Sequence, residues 1–366
     1  MSKISERVYF DNAATTRVTP PVLQAALPYL TGYYGNPSST HHMGTVAKKA
    51  IDEARARCAK AINAEPEQII FTSGATESNN LVAGQGVALI SSDYEHPSMR
   101  IGRTTNDNGL QLEINKLQRA GVRHIIVSHQ FVNNEIGTIF NIKEYADIAH
   151  NNDCLFHTDA TQAFSHVPID VKEIDCDFLS LSGHKFHAPK GVGLLYIKNP
   201  DNLLTPIIGG GQENGLRSGT ENVFGVVAMG KAMELYDYSP VTAQHYKELK
   251  HTLIRGLAKS CPVEFHINQV EGLSHVDNIV NISFRNINGE SLAILLDYNG
   301  FCVSTGSACH SASLEESATI KTLNLPEEYR LGSIRVSFSE SNTTEEVERL
   351  VNTISRNIST LIMINK

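Results

Sequence analysis

Lys185 stands in Ser182-Gly183-His184-Lys185, where an apolar β-rich run ends and a glycine-containing turn begins. A lysine at a strand end can be held in a pocket and still be reached. Desolvation depresses its pKa and makes the amine nucleophilic. Asp159, in His157-Thr158-Asp159-Ala160-Thr161-Gln162, ends another apolar run. A carboxylate there is costly unless a cation or a hydrogen-bond donor meets it. The stretch from Thr72 to Asn79 reads as strand, glycine turn, hydroxyls and helix start, a form that offers backbone N–H groups to an anion. An amine, a buried carboxylate and an anion cradle are what pyridoxal phosphate asks of a protein. Each feature has a plainer reading: a surface lysine, a helix N-cap aspartate, an ordinary α/β turn. The turn is not a Walker loop, because GxxxxGK[ST] is absent.

A metal site is not expected. His184 and His187 are three apart with no carboxylate or further histidine beside them. The six cysteines, Cys58, Cys154, Cys176, Cys261, Cys302 and Cys309, contain no CxxC pair. They read as free thiols in a large chain that does not need disulfides. Cys309 differs in its surroundings. It lies in Ser304–Leu314 with Gly306, Ser307, Ser311 and Ser313, small polar residues that argue against burial.

Elements must hold these residues. Ile69–Thr72, Val87–Ile90, His124–Ser128, Cys154–Thr158, Phe178–Ser182 and Val192–Ile197 read as strands, several too apolar to have a wet face. Glu77–Val87 and Lys143–Asn151 read as helices between them, and Val46–Asn63 carries a helical apolar stripe. The alternation predicts an α/β fold with a mostly parallel sheet covered by helices. After Gly225 the rhythm changes. Val226–Tyr236 and Val241–Ser260 read as one long or kinked helix, with Pro240 at a break. Beyond it, His275–Phe284, Gly289–Tyr298, Phe301–Ser304, Ser333–Ser337 and Thr344–Ile362 form a smaller α+β unit. The expected domains are 14–240, the large one, and 241–366, the small one, with 1–13 packing on the small domain.

The chain's 366 residues suit two domains, and no apolar run approaches the ~20 residues of a membrane helix. The start MSKISERVYF lacks an apolar signal core, so a cytoplasmic location is expected. A formal charge of −8 makes extensive direct nucleic-acid binding unexpected.

The residues also carry a resemblance over nearly the whole chain. Its motifs are YFDNAATT (Tyr9–Thr16), NPSSTHHMG (Asn36–Gly44), TSGATESNN (Thr72–Asn80), EH (Glu95-His96) and NNEIGT (Asn133–Thr138). HTDATQ, SGHKFHAPKGVG, GGGQENGLRSGTENV (Gly209–Val223), STGSACHSASLE (Ser304–Glu315) and IRVSFS (Ile334–Ser339) follow in order. The chain resembles the cysteine desulfurases of the aminotransferase class V family. That resemblance implies a pyridoxal-phosphate-dependent transferase fold of the aspartate-aminotransferase type. It implies Lys185 as the Schiff-base lysine, His96 as the ring-stacking proton carrier and Asp159 as the partner of the pyridinium nitrogen. Gln162 and Asn134 would lie near the ring oxygen and substrate. Ala75, Thr76, Ser182 and His184 would hold the phosphate, and Thr220 that of a neighbouring subunit in a homodimer with shared sites. Arg335 would clamp the carboxylate of L-cysteine, and Cys309 would receive the sulfur as a persulfide, leaving L-alanine. How the Cys309 thiolate is stabilised is left open, with His310 its neighbour in sequence.

Some positions depart from the family's pattern. The Glu95–Asn134 stretch is short, Asn214 stands where an arginine is usual, Ile197–Thr205 is poor in basic residues, and Glu316 replaces a proline. These bear on the sulfur acceptor. Iron–sulfur cluster assembly, tRNA thiolation and DNA phosphorothioation are the alternatives. A selenocysteine lyase, an aminotransferase on the same scaffold and a non-catalytic sulfur-transfer scaffold are rival readings.

Overall fold

The computed structural model describes residues 7–84, 88–105, 109–203, 207–305 and 317–364. The chain divides into two compact units, one of residues 16–132 and 140–237, the other of residues 1–15, 133–139 and 238–366.

The first unit is built on a seven-stranded sheet. Its order is Ile69–Thr72, Gly193–Ile197, Phe178–Ser182, Leu155–Asp159, Ile125–Ser128, Ala88–Ser92 and Arg103–Thr105. Gly193–Ile197 runs antiparallel to both neighbours, and the other pairs are parallel. Six strands therefore share one direction, the mostly parallel sheet expected of the sequence. Every residue of Ile69–Thr72, Ile125–Ser128, Phe178–Ser182 and Gly193–Ile197 is buried, as strands covered on both faces must be. Strands that run in one direction need crossovers, and the helices Ala75–Ala83, Leu110–Arg119 and Ile142–His150 lie between successive strands of this sheet along the chain. The expected Glu77–Val87 helix begins two residues earlier, at Ala75, directly after Gly74.

The second unit centres on an antiparallel sheet of Phe265–Ile267, Ile279–Phe284 and Ser333–Ser337. The helices Pro240–Ser260, Gly289–Tyr298 and Thr344–Ile364 contribute Leu249, Leu253, Leu292, Leu350 and Ile354 to its core. Val8–Tyr9 pairs in parallel with Phe301–Cys302, and Phe10 is fully buried in the same core.

Two expectations are corrected. The predicted long or kinked helix over Val226–Tyr236 and Val241–Ser260 is two helices, Val223–Leu235 and Pro240–Ser260, which belong to different units. Pro240 takes the first helical position, where its missing N–H costs nothing, and Ser239 Oγ accepts from Val241 N at 3.2 Å. Residues 133–139, inside the expected 14–240 domain, belong to the second unit. Thr138–Ile139 pairs antiparallel with Ser274–His275, and Gly137 O accepts from Val276 N at 2.9 Å. Gly137 has φ +70, and a Cβ there would sit 3.1 Å from Val276 and 3.2 Å from Ile279, so glycine lets this segment in.

Candidate active site

Backbone proximity at the sheet's edge shapes the turn expected to hold an anion. A Cβ on Gly193 would lie 2.6 Å from Gly74 Cα, so two glycines let the strand and the turn touch. Gly74 opens the Ala75–Ala83 helix, and no side chain caps it. The N–H groups of Ala75 and Thr76 are thus in the first turn, where a helix has donors to spare. Ser182 Oγ is the nearest atom to a Cβ built on Gly74, at 3.5 Å. Behind the turn, Glu77 accepts from Ser73 N at 2.9 Å and from Arg217 Nε at 2.6 Å. Burial pushes the Glu77 carboxyl up, but the bonds from Arg217 and Ser73 outweigh it and leave the pKa below the ordinary value. Glu77 is therefore a fixed anion that holds the turn.

Lys185 is half-buried in a one-turn helix, Gly183–Lys185, that follows the Phe178–Ser182 strand. Thr16 fastens that turn: its N–H and hydroxyl both donate to His184 O, at 2.8 and 3.0 Å, and its hydroxyl accepts from His187 N at 2.7 Å. Burial, then the charges of Lys185 and Lys190, push His184 down to about 4, so it is neutral at pH 7.

Asp159 is buried at the end of its strand. Asn79 Nδ2 donates to its Oδ2 at 2.8 Å, and Thr161 N donates to Oδ1 at 3.0 Å. His96 follows the Ala88–Ser92 strand and is electrostatically coupled to both Asp159 and Lys185. Burial lowers its pKa most, Asp159 raises it and Lys185 lowers it, and the net shift is down. Gln162 is buried, with Oε1 lacking a hydrogen-bond partner among the described residues. Thr220 is exposed on the segment leading into the Val223–Leu235 helix.

In the second unit, Arg335 is buried on the Ser333–Ser337 strand. Its Nη1 donates to Asn134 O at 2.8 Å and its Nη2 to Asp11 Oδ1 at 2.8 Å. Nε is buried without a partner among the described residues. Asn134 therefore meets Arg335 through its carbonyl. Arg335 also exchanges backbone bonds with Ser304, the residue that begins the Ser304–Leu314 stretch. Cys309 itself lies outside the described residues. Among the other thiols, Cys58, Cys154 and Cys176 are buried. Burial pushes Cys58 up to about 12 and Cys154 to about 11, and Cys176 upward as well, which makes them poor nucleophiles.

The sequence reading missed a group of polar residues behind the site. Ser98 Oγ lies 2.8 Å from His96 Nδ1 and 2.9 Å from Asn79 Nδ2. Beside them Ser128 Oγ donates to Glu95 Oε1 at 3.1 Å and meets His157 Nδ1 at 2.8 Å, while His157 Nε2 meets Ser180 Oγ at 3.0 Å. Their only sequence signal is polar residues inside otherwise apolar runs, such as His157 in Leu155–Asp159. That signal marks a buried polar group without naming its partner.

The class-V aminotransferase family model matches residues 8–350. The chain is 40% identical to "Cysteine desulfurase IscS" of Clostridium botulinum (strain Hall), covering 96% of this chain and 94% of that protein. It is 40% identical to "Cysteine desulfurase IscS" of Methanosarcina thermophila, over 97% of this chain and 92% of that one. Among solved structures, "NIFS-LIKE PROTEIN" superposes with a TM-score of 0.84 at 34% identity, covering 97% of this chain and 100% of that chain. "SspA in complex with cysteine" superposes at 0.75 with 31% identity, over 90% of this chain and 98% of that one. With this much of its length and fold shared, the chain belongs to the aminotransferase class V family and, within it, to the cysteine desulfurases.

Proposed function

We propose that the protein binds pyridoxal 5'-phosphate and converts L-cysteine to L-alanine, transferring the sulfur to Cys309 as a persulfide for a protein acceptor. The observation that carries this reading is that Asn79 links the buried Asp159 carboxylate to Ser98, and Ser98 to His96, within the unit that also holds Lys185. The donor set fits the cofactor. Asp159, buried and already holding two N–H donors, suits a protonated ring nitrogen. The uncapped helix start at Ala75 and Thr76, with Ser182 near Gly74, suits a phosphate. Gln162 Oε1 is a buried acceptor in want of a donor, and Lys185 supplies the amine. Thr220, exposed, is available to a second copy of the chain, in keeping with a homodimer.

When bound, the cofactor supplies an electron sink that acidifies the substrate α-carbon. Lys185 Nζ carries the α-proton, and His96 handles protons at the substrate sulfur and β-carbon. The Arg335 guanidinium binds the carboxylate, for which its planar fork is suited. The Cys309 thiolate forms an S–S bond as the substrate C–S bond breaks, and the β-carbon takes up a proton. Thiol plus cysteine gives persulfide plus alanine, so atoms and electrons balance without an added oxidant.

The test is Cys309→Ser. The variant keeps the cofactor's absorption band, loses sulfide production from L-cysteine, and shows no one-sulfur mass gain at residue 309. Full activity in this variant removes Cys309 from the reaction. Persulfide transfer to an iron–sulfur scaffold, a tRNA-thiolating enzyme or a DNA-modifying protein, followed by mass spectrometry, identifies the acceptor.

A further inference from the structure

The hydrogen bonds behind His96 can run in only one direction. Asp159 as a carboxylate accepts and cannot donate. The amide NH2 of Asn79 therefore faces it, with one hydrogen to Asp159 Oδ2 at 2.8 Å and the other to Ser98 Oγ at 2.9 Å. Ser98 Oγ, accepting from Asn79, has its own hydrogen left for His96 Nδ1, 2.8 Å away. The backbone N–H of Ser98 also donates to Nδ1, at 3.2 Å. Two donors converge on Nδ1, so that nitrogen holds a lone pair. Asn79 and Ser98 are both buried, which leaves water little room to offer other partners.

We propose that Asn79 and Ser98 are positioning residues that lock neutral His96 with its proton on Nε2. The resting ring then presents a hydrogen-bond donor to the substrate side. It accepts a proton at Nε2 only if Nδ1 becomes protonated, which requires the Ser98 hydroxyl to turn and the Ser98 backbone N–H to give up Nδ1. This inference rests on the assignment of His96 as the proton carrier and specifies the form in which it waits. The groups that face the ring are consistent with a neutral resting state. They are Asp159 at its strand end, which favours the charged ring, and Lys185 on the turn after Phe178–Ser182, which with burial outweighs it.

The test is nitrogen-15 NMR of histidine-labelled holoenzyme at neutral pH, with the His96 signals identified by their loss in His96→Asn. The expected spectrum has an unprotonated Nδ1 and a protonated Nε2. In Ser98→Ala the ring loses its hydroxyl donor, and the spectrum moves toward a mixture of tautomers with a higher imidazole pKa. Ser98→Thr restores the wild-type pattern. With L-cysteine, Ser98→Ala lowers kcat by about tenfold or more with KM little changed, a fraction of the 10²–10⁴ that a positioned acid or base contributes. A protonated Nδ1 in the wild type overturns the proposal even if Ser98→Ala fails to fold. So does a Ser98→Ala spectrum identical to wild type. The NMR readout needs no turnover. If His96→Asn retains full activity while the tautomer is as stated, the function assigned to His96 has failed and the lock has not.

Discussion

Arg335, proposed above to bind the substrate carboxylate, is already held by partners of its own. Its side chain is only 5% exposed, and Asp11 at 2.8 Å is its sole ion-pair partner among the described residues. A buried charge stripped of its partner costs about 3–5 kcal/mol, because the remaining ion has lost both water and counter-charge. Asp11→Ala is therefore expected to lower the urea midpoint of unfolding strongly. Asp11→Asn keeps an oxygen that can accept from Nη2 and is expected to lose less than half as much. Equal losses in the two variants would show that the charge of Asp11 is what counts and that a neutral acceptor does not replace it. The pair joins residues 324 apart in sequence, so neither Asp11 nor its role could be read from local pattern. Arg335 was legible only through the IRVSFS resemblance. Lys185 and Asp159 were legible on simpler grounds, since both interrupt or end apolar runs where a charged group needs a reason. Asn79 and Ser98 were not, because a hydrogen-bond direction exists only once three separate segments meet.

At the scale of elements, the strands could be read because burial on both faces demands unbroken apolar runs. Ile125–Ser128 and Phe178–Ser182 are of that kind. The placement of residues 133–139 could not be read, since it depends on pairing with Ser274–His275, far along the chain. The contact between Gly193 and Gly74 is of the same long-range type and shapes the turn proposed above to hold the phosphate. A Cβ on Gly193 would meet Gly74 Cα at 2.6 Å and Leu181 O at 2.6 Å, both backbone atoms that cannot swing aside as a side chain would. Gly193→Ala must therefore push the strand and the turn apart. The expected result is a loss of about 1–3 kcal/mol in stability, the usual range for overpacking. It is accompanied by weaker retention of pyridoxal phosphate, measured as loss of the cofactor band on dialysis. Wild-type retention in a destabilised variant would separate the strand contact from the cradle.

Across the whole molecule, the buried Glu95–Ser128–His157 group gives stability a particular pH dependence. Ser128 Oγ donates to Glu95, so it receives its other bond from His157 Nδ1–H, and Ser180 Oγ–H can then donate to Nε2. The arrangement accommodates a neutral imidazole. Burial pushes His157 down to about 4, with Asp159 opposing. Burial, aided by the charge of Asp159, pushes Glu95 up to about 8. The signs follow from proton counting. Between about 4.5 and 8 the folded chain holds a proton on Glu95 that the unfolded chain releases, so this group lowers stability as pH rises. Between about 4 and 6.5 the unfolded chain protonates His157 while the folded chain does not, so this group raises stability as pH rises. From pH 4.5 to 6.5 the two slopes oppose each other; from 6.5 to 8 only that of Glu95 remains. Glu95→Gln removes it while keeping an acceptor for Ser128. Relative to the variant, the wild type is expected to lose stability from pH 6.5 to 8 with a slope approaching about 1.4 kcal/mol per unit, the limit for one proton. Urea unfolding at half-unit steps measures the difference. Parallel stability curves for the two proteins would mean that Glu95 is already ionised at pH 6.5, and that its hydrogen bonds from the Ser128 hydroxyl and the Gln130 backbone offset the cost of burying its charge.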